Sequence, residues 1–471
     1  MRRDDIPRPG DMGGMHEGTG LRRATFLKAV AAAVVAPSLL AGRAAAGGAP
    51  TGLPATARDA WPQAAHDLAA TRATPWAPSG LAVRWRRPVA GGMTGPPAIV
   101  HGRVVAASLG GEVAAFDLAD GRERWRRAFD PAVYGSGDGA VALGFFGGCA
   151  VHGGRVVVAS DRLRCLRLRD GAVLWEAEPL RAPGGDDYFW GAPVIAGGLV
   201  LAGSGAGSES TDTRGRVSAY RLADGAPRWS TPMVPEGGNG GGVLSPVTVD
   251  PVRRAVFAGT GAPYLPVPGA NPGTCSVVEL ALDDGRLRWS DQLHPGDRLG
   301  LDVNSAPLLT ASTIAVTAKD GVWAWDRASR RRLWRRGLTP ATPAGGGPAG
   351  PVNGPEGGPI ATDGRRVHVL SNDGDAGHAV AAALDARTGE VRWRTDLGGL
   401  TFAAPALAGD VLCSATVSGD LEVLGARDGR QVARVPLGGP SAGAVAAADG
   451  RIVFGIGAEP FLPGGELVCV G

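Results

Sequence analysis

Lysine is almost absent from this 471-residue chain, which has Lys28 and Lys319 against 46 arginines. An excess of either positive or negative charge is absent too. The first 46 residues hold seven cations and four acids, so the rest of the chain holds 41 of each and is close to neutral. Nucleic-acid binding depends on a surplus of basic residues that neutralise phosphates. The composition therefore predicts that nucleic acid is not a partner.

Cysteine is also scarce, and its spacing does not suit a metal site. An odd count argues against a complete disulfide framework, and the seven histidines are scattered without partners at metal-ligand spacing. The sequence therefore predicts small buried thiols for most of the five cysteines, which are Cys149, Cys165, Cys275, Cys413 and Cys469.

Long apolar runs are missing, so no membrane span is expected. The one apolar stretch of note, from Ala29 to Leu40, is too short for a stable transmembrane helix. Arg22-Arg23 precedes it, and Ala44-Ala45-Ala46 follows as a small-residue cleavage site. Residues 1–46 are thus predicted to be an export signal that resembles the twin-arginine type, with a general secretory signal as the alternative. The mature chain is expected outside the cell or in its envelope.

What the chain has in abundance is a repeat rich in glycine. From Val113 an apolar strand leads to an Asp120-Gly121 turn, and a second strand follows that reaches Trp125 four residues after the glycine. The same unit recurs at intervals of 40 to 60 residues, ending at Trp175, Trp229, Trp289, Trp334, Trp393 and finally Ala433, with Ser329-Arg330 in place of Asp-Gly in the fifth copy. Such a period indicates an array of supersecondary units.

The physics of one unit predicts the architecture. Asp-Gly supplies the positive φ of a tight turn, and two more short apolar strands precede each turn, so each copy is a four-stranded antiparallel meander. Isolated meanders leave apolar faces and edges open, whereas radial packing buries them in a β-propeller. Separate sandwich domains, the alternative, would require linkers between the copies.

The two ends of the chain predict how the ring closes. Residues 81–85 form a lone last strand, and three strands at the C-terminus stop before a fourth. Together they make one blade, so we predict an all-β, eight-bladed propeller over residues 76–471 whose last blade is completed by the N-terminal strand. Residues 47–75 are expected to be a Pro/Ala-rich lead.

Trp61-Pro62-Gln63, His66-Asp67 and the Asp-Gly-x-x-x-Trp repeat resemble the pyrroloquinoline quinone (PQQ) repeat propellers. The resemblance is greatest to the quinoprotein alcohol dehydrogenases of the polyvinyl-alcohol dehydrogenase type. It is carried by three further stretches, which are Arg214 to Tyr220, Ala258 to Gly261 and Asp302 to Pro307.

That resemblance implies a quinone in the axial funnel, stacked on a tryptophan and bridged to the protein by Ca²⁺. The family's calcium ligands are a glutamate, an asparagine and an aspartate, and the aspartate is also the catalytic base. Glu209 matches the glutamate as a contact to metal and cofactor. The asparagine position holds Ala262, the aspartate position holds Gly300, and Leu244 lies near the tryptophan position.

Three other residues match, or could replace, the family's contacts to quinone and calcium. Lys319 matches the family's cation that contacts the quinone oxygens, although a solvated lysine at a strand end is equally compatible with the sequence. Asn271 is a substitute calcium ligand, and Asp302 is a substitute base.

Two functions therefore remain open. The first is an exported, non-catalytic binding or interaction propeller without cofactor, whose funnel takes a small ligand or peptide or whose surface binds another envelope protein. The second is a PQQ- and calcium-dependent alcohol dehydrogenase. The sequence does not indicate the oligomeric state.

Overall fold

The computed structural model describes residues 60–134, 141–180, 187–206, 213–265, 269–297, 299–303, 305–340 and 360–471. These residues form β-strands and connecting loops without a helix. The first half of the chain contains β1 (Ala73–Thr74), β2 (Val83–Pro88), β3 (Ala98–Val100), β4 (Arg103–Ala107), β5 (Glu112–Asp117), β6 (Glu123–Ala128), β7 (Ala132–Tyr134), β8 (Val141–Leu143), β9 (Ala150–His152), β10 (Arg155–Ala159), β11 (Leu163–Arg167), β12 (Val173–Ala177), β13 (Asp187–Tyr188), β14 (Val194–Ala196), β15 (Leu199–Ala206), β16 (Arg216–Arg221) and β17 (Pro227–Pro232).

The second half repeats the same pattern of short strands. It contains β18 (Thr248–Asp250), β19 (Ala255–Gly259), β20 (Ser276–Ala281), β21 (Leu287–Gln292), β22 (Leu308–Leu309), β23 (Thr313–Ala318), β24 (Gly321–Asp326), β25 (Arg332–Arg336), β26 (Ile360–Thr362), β27 (Arg366–Asp373), β28 (His378–Asp385), β29 (Val391–Asp396), β30 (Ala406–Ala408), β31 (Val411–Ala415), β32 (Asp420–Gly425), β33 (Gln431–Pro436), β34 (Ala446–Ala448), β35 (Arg451–Ala458) and β36 (Leu462–Val470).

Most of the strands assemble into eight four-stranded antiparallel blades, and the predicted eight-bladed propeller is confirmed. β7 and β8 form a separate hairpin, and β1 and β13 add a short strand to one blade each. Blades 1 to 7 are β3–β6, β9–β12, β14–β17, β18–β21, β22–β25, β26–β29 and β30–β33. Blade 8 has the order β2-β36-β35-β34, so the N-terminal strand completes it. First strands of neighbouring blades pack on one another around the axis, as β3 does with β9 and β34.

The direction of the strands defines two faces. Successive strands in a blade are antiparallel, so the turns that join strands one to two and three to four lie at one face, which we call lower. The connections from strand two to three, and from one blade to the next, lie at the other face, which we call upper. Each Asp-Gly turn of the repeat is therefore on the lower face.

The tryptophans of the repeat are buried between blades. Trp125 on β6 is 6% exposed, and its Nε1 donates a hydrogen bond to the carbonyl oxygen of Leu168 in blade 2, at 2.8 Å. Equivalent bonds run from Trp85 to Leu118, from Trp175 to Leu222 and from Trp229 to Leu282. A large ring with one polar atom therefore joins each of these blades to the next.

The part of the predicted lead that is described begins at residue 60, and its residues 60–74 lie inside the propeller. Trp61 pairs with Ile99 of β3, and β1 pairs in parallel with β30, the first strand of blade 7. Trp61 and Arg72 are fully buried. We call residues 60–74 the axial segment. The predicted export signal, residues 1–46, lies outside the described residues.

The five cysteines are buried and free, as expected from their spacing. Burial raises the pKa of Cys149, Cys165 and Cys413 to about 12, so these thiols are neutral core residues at neutral pH. Over the described part of the chain there is no helix long and apolar enough to cross a membrane.

Candidate functional site

The upper face of blades 4 and 5 carries three of the four residues singled out from the sequence. Asn271 lies between β19 and β20, Asp302 lies between blades 4 and 5, and Lys319 lies in the turn from β23 to β24. All three connections are upper-face connections. The fourth residue, Glu209, falls in residues 207–212, outside the described ranges.

Asp302 and Lys319 face one another across the blade 4–blade 5 boundary. Their Oδ2 and Nζ atoms are 3.8 Å apart, and both side chains are partly exposed. The other carboxylate oxygen of Asp302 accepts a hydrogen bond of 2.5 Å from the backbone N–H of Ala262 in blade 4. This pair is therefore a carboxylate and an ammonium that are open to solvent and held by two blades.

Gly300 lies beside the same pair. A Cβ atom built on Gly300 would be 3.5 Å from the Nζ of Lys319, and the residue has φ +67°. The position where the family resemblance expects an aspartate thus points toward the lysine. Its left-handed backbone disfavours most residues other than glycine, but asparagine and aspartate are tolerated there.

Asp297 is a second carboxylate in this region, and the sequence reasoning missed it. Its oxygens accept the backbone N–H groups of Leu299 and Leu301 at 3.0 and 2.9 Å. The Sγ of Cys275 lies 3.8 Å from Oδ2 of Asp297. Burial and the nearby charges of Asp302 and Asp297 raise the pKa of Cys275, so both carboxylates lie close to one thiol. Asp297 follows a Pro-Gly pair in the loop that leads to Asp302, and that turn signal was available in the sequence.

Asn271 is buried and is bonded to the connection between blades 3 and 4. Its Nδ2 donates to the backbone carbonyl oxygen of Asn239 at 2.8 Å, and its own backbone carbonyl oxygen accepts the side-chain amide of Gln292 at 3.0 Å. Asn239 in turn accepts the backbone N–H groups of Tyr264 and Leu265 through Oδ1. The amides of Asn271 and Asn239 therefore hold together the upper loops of blades 3 and 4.

Tyr264 provides an aromatic ring near Leu244. The hydroxyl of Tyr264 accepts the backbone N–H of Ala206 at 3.0 Å. A Cβ atom on Gly242 would be 2.6 Å from that hydroxyl and 3.3 Å from Cδ2 of Leu244. The wall of the site at the boundary of blades 3 and 4 is thus a half-buried leucine beside a buried tyrosine. The sequence reasoning considered only tryptophan for this role and missed Tyr264.

His294 and Asp320 brace the site from the outer side. The Nε2 of His294 lies 3.4 Å from Oδ1 of Asp320, which also accepts Nε1 of Trp323 at 3.0 Å, and Arg335 lies 2.9 Å from Oδ2. Burial opposes ionisation of Asp320, but these partners hold its pKa below the ordinary value. His294 belongs to the loop of Asp302, and Asp320 follows Lys319, so this contact ties the two halves of the pair together.

The donor set of the described residues does not fit a calcium ion. Within those ranges, no cluster of three or more His, Cys, Asp or Glu residues could hold a metal. Ca²⁺ requires six to eight oxygen ligands. Ala262 contributes no side-chain oxygen, the side-chain amide of Asn271 is bonded to the carbonyl oxygen of Asn239, and Glu209 lies outside the described residues.

Comparison with known proteins places the chain among PQQ-repeat propellers. A family described as outer membrane protein assembly factor BamB matches residues 71–213, 191–336 and 376–458. Polyvinylalcohol dehydrogenase of Sphingopyxis sp. (strain 113P3) is 25% identical over 374 residues, which is 66% of this chain and 54% of that protein. The assembly factor BamB of Burkholderia pseudomallei is 25% identical over 385 residues, with 79% and 81% covered.

Solved structures resemble the chain in fold. Quinohemoprotein alcohol dehydrogenase from Comamonas testosteroni matches with a TM-score of 0.70 at 19% identity, covering 88% of this chain and 80% of that one. BamB from Moraxella catarrhalis matches with a TM-score of 0.57 at 15% identity, covering 83% and 97%. In sequence, the chain spans about half, or less, of the length of the curated dehydrogenases that it matches.

Proposed function

The chain belongs to the PQQ-repeat β-propeller family, and on this premise we propose that it is an exported ligand-binding propeller without quinone-dependent catalysis. Its ligand, a small molecule or a peptide, approaches the upper face between blades 3 and 5. The observation that carries the proposal is the partly solvent-exposed ion pair of Asp302 and Lys319. The residue bonded to Asp302 is Ala262, whose side chain has no oxygen to bind a metal.

The chemistry of this sector suits recognition better than alcohol oxidation. Asp302, Asp297 and Lys319 offer charges of both signs, and Leu244 with Tyr264 offers an apolar wall. Ligand sites combine such apolar walls with a few convergent polar groups. Quinone-dependent oxidation would further require a metal that polarises the cofactor, and its ligands are not assembled by the described residues.

The decisive experiment is an equilibrium titration of the purified chain, without residues 1–46, with PQQ and Ca²⁺. It is followed by an alcohol oxidation assay with an artificial electron acceptor. We expect no quinone-dependent turnover. A rate on the order of 1 s⁻¹, typical of working enzymes, would contradict the proposal.

A PQQ- and calcium-dependent alcohol dehydrogenase is the second candidate, and one observation favours it. Asp297 is a carboxylate that lies beside Cys275, whose thiol also feels the charges of Asp302 and Lys319, so the loss of a base at Gly300 does not exclude proton abstraction in this sector. If turnover is found, Asp297→Asn and Asp302→Asn distinguish the base from the residue that supports it. The base variant loses about 10²–10⁴-fold in kcat.

The relatives and the N-terminal sequence support a role outside the cytoplasm. A relative that covers most of this chain is named as an outer membrane protein assembly factor, so an envelope protein is a proposed alternative partner. Export through the twin-arginine route predicts that replacing Arg22 and Arg23 together by lysine stops secretion while the charge is kept. Unchanged secretion would favour the general secretory route.

A further inference from the structure

The axial segment, residues 60–74, contacts the first strand of seven blades in the order of the chain. Each contact is a hydrogen bond from a backbone N–H of the blade to an oxygen of the segment, at 2.7 to 3.4 Å. The donor–acceptor pairs for blades 1 to 7 are Ile99–Trp61, Val151–Pro62, Ile195–Gln63 (side-chain oxygen), Val249–Leu68, Leu309–Ala69, Thr362–Thr71 and Leu407–Arg72.

These contacts satisfy donors that the propeller cannot satisfy otherwise. The first strand of a blade pairs with the second strand on one side only. Its other edge faces the central channel along the propeller axis. A buried N–H without an acceptor is destabilising, so a ring of such edges needs a chain of oxygens along it. The axial segment supplies one oxygen for each of blades 1 to 7 in turn.

The segment is shaped for this path by its own contacts. Asp67 is almost fully buried and accepts the N–H groups of Ala69 and Thr71 and the hydroxyl of Thr71, at 2.6 to 3.0 Å. Burial opposes ionisation, but His66 and Thr71 hold the pKa of Asp67 below its ordinary value. His66, Ala70 and Arg72 have positive φ, which bends the segment along the inner wall.

The end of the segment reinforces one particular joint. β1 pairs with β30 of blade 7 and also packs against β34 of blade 8. This is the joint at which Ala433 replaces the tryptophan of the repeat. The segment therefore adds contacts where the ring has lost its usual link between blades.

We infer that the lower part of the channel is a peptide-binding site, filled in cis by the axial segment, which would remain a specific ligand of the propeller after being cut from it. The occupant is this segment of the same chain. The site is separate from the upper-face pair and does not depend on the proposed function.

The test is to cut the folded chain. A recognition sequence for a site-specific protease is inserted between Ala77 and Pro78, because residues 75–77 are exposed and follow the last channel contact. After cleavage, we expect the cut N-terminal peptide to stay bound and to co-elute with the propeller in gel filtration. A fluorescent peptide of residues 60–76 should exchange with it slowly, over hours.

Two variants test whether the shape that Asp67 gives the segment controls its release. Asp67→Ala removes three hydrogen bonds to a buried carboxylate and should speed dissociation of the cut peptide at least about tenfold. Trp76→Ala, at an exposed side chain beyond the segment, should leave the rate unchanged. Immediate loss of the peptide from a propeller that stays folded would overturn the inference, as would equal rates for both variants.

Discussion

Gly171 in blade 2 lies directly on the ring of Trp125 in blade 1. A Cβ atom built on Gly171 would be 2.5 Å from Cε3 of Trp125, which is closer than carbon atoms approach in proteins. The glycine of the repeat is therefore required twice, for the positive φ of the turn and for the space that the tryptophan occupies. The same contact joins Gly121 to Trp85, Gly225 to Trp175, Gly285 to Trp229, Gly389 to Trp334 and Gly429 to Trp393.

The first prediction separates these two requirements. Gly171→Ala adds a left-handed alanine and a steric clash, so we expect a loss of about 2–4 kcal/mol in the free energy of unfolding. Gly153 has φ +56° and nothing within 4 Å of its notional Cβ, so Gly153→Ala should cost only about 1 kcal/mol. Urea unfolding of both variants measures the difference. Equal losses would show that backbone strain alone explains the glycine.

Blade 5 shows what happens when the glycine is absent. Arg330 takes the turn position with φ +61°, and its Nε lies 2.6 Å from Oε2 of Glu279 in blade 4. Trp289 is only half-buried, and its ring packs at 6.0 Å, edge to face, on Trp325. An ion pair and an aromatic pair thus replace the usual contact between ring and glycine.

The second prediction concerns the closure of the ring by the N-terminal strand. Trp85 lies on β2 and donates to Leu118 of blade 1 at 2.9 Å. Trp85→Ala should lower the free energy of unfolding by about 3–5 kcal/mol, because it leaves a cavity at the seam. Trp76→Ala is the control and should change it by less than about 0.5 kcal/mol. A small effect of Trp85→Ala would mean that the seam contributes little to stability.

The third prediction concerns acid. Arg392 lowers the pKa of Asp385 to about 2, and His368 with neighbouring N–H groups lowers that of Asp363 to about 2 against the effect of burial. Both values lie below that of the unfolded chain, so the folded protein binds fewer protons. Their stabilisation is complete above about pH 4 and is lost as the pH falls through 2.

Unfolding in urea at pH 7, 4 and 2.5 tests this sign. Asp385→Asn should be less stable than the parent at pH 7 and should lose less stability between pH 4 and 2.5. Asp130→Asn, at an exposed loop residue, serves as the control and should follow the parent at each pH. A parallel decline of the parent and Asp385→Asn would exclude this carboxylate as a source of acid sensitivity.

The fourth prediction uses the scarcity of lysine. In a chain without residues 1–46, Lys319 is the one lysine side chain that reductive methylation with ¹³C-formaldehyde labels. Because Asp302 lies 3.8 Å from the amine, Asp302→Asn should shift the ¹³C-methyl resonance of Lys319, whereas Asp130→Asn should not. An unmoved resonance would place the amine away from Asp302 in solution.

The sequence was sufficient to predict the architecture because the features of the repeat depend on local interactions. Turn glycines and regularly spaced tryptophans specify blades, and the unmatched strands at the two ends predicted the eighth blade. Residues 60–75 were the exception, since a segment rich in alanine and proline carries no strand period. Its place in the channel depends on oxygens that meet N–H groups from seven blades, and no local pattern encodes those partners.

The candidate site divides in the same way. The sequence by itself determined which residue types the upper loops contain, including Lys319 and Asp302, and their spacing along the chain. Only the tertiary structure decided that these two face each other, that Asp297 joins them near Cys275, and that Asn271 is bonded to Asn239 in the connection between blades 3 and 4. The physical reason is that loops from different blades meet at the upper face, where distances depend on how the blades pack and not on separation in sequence.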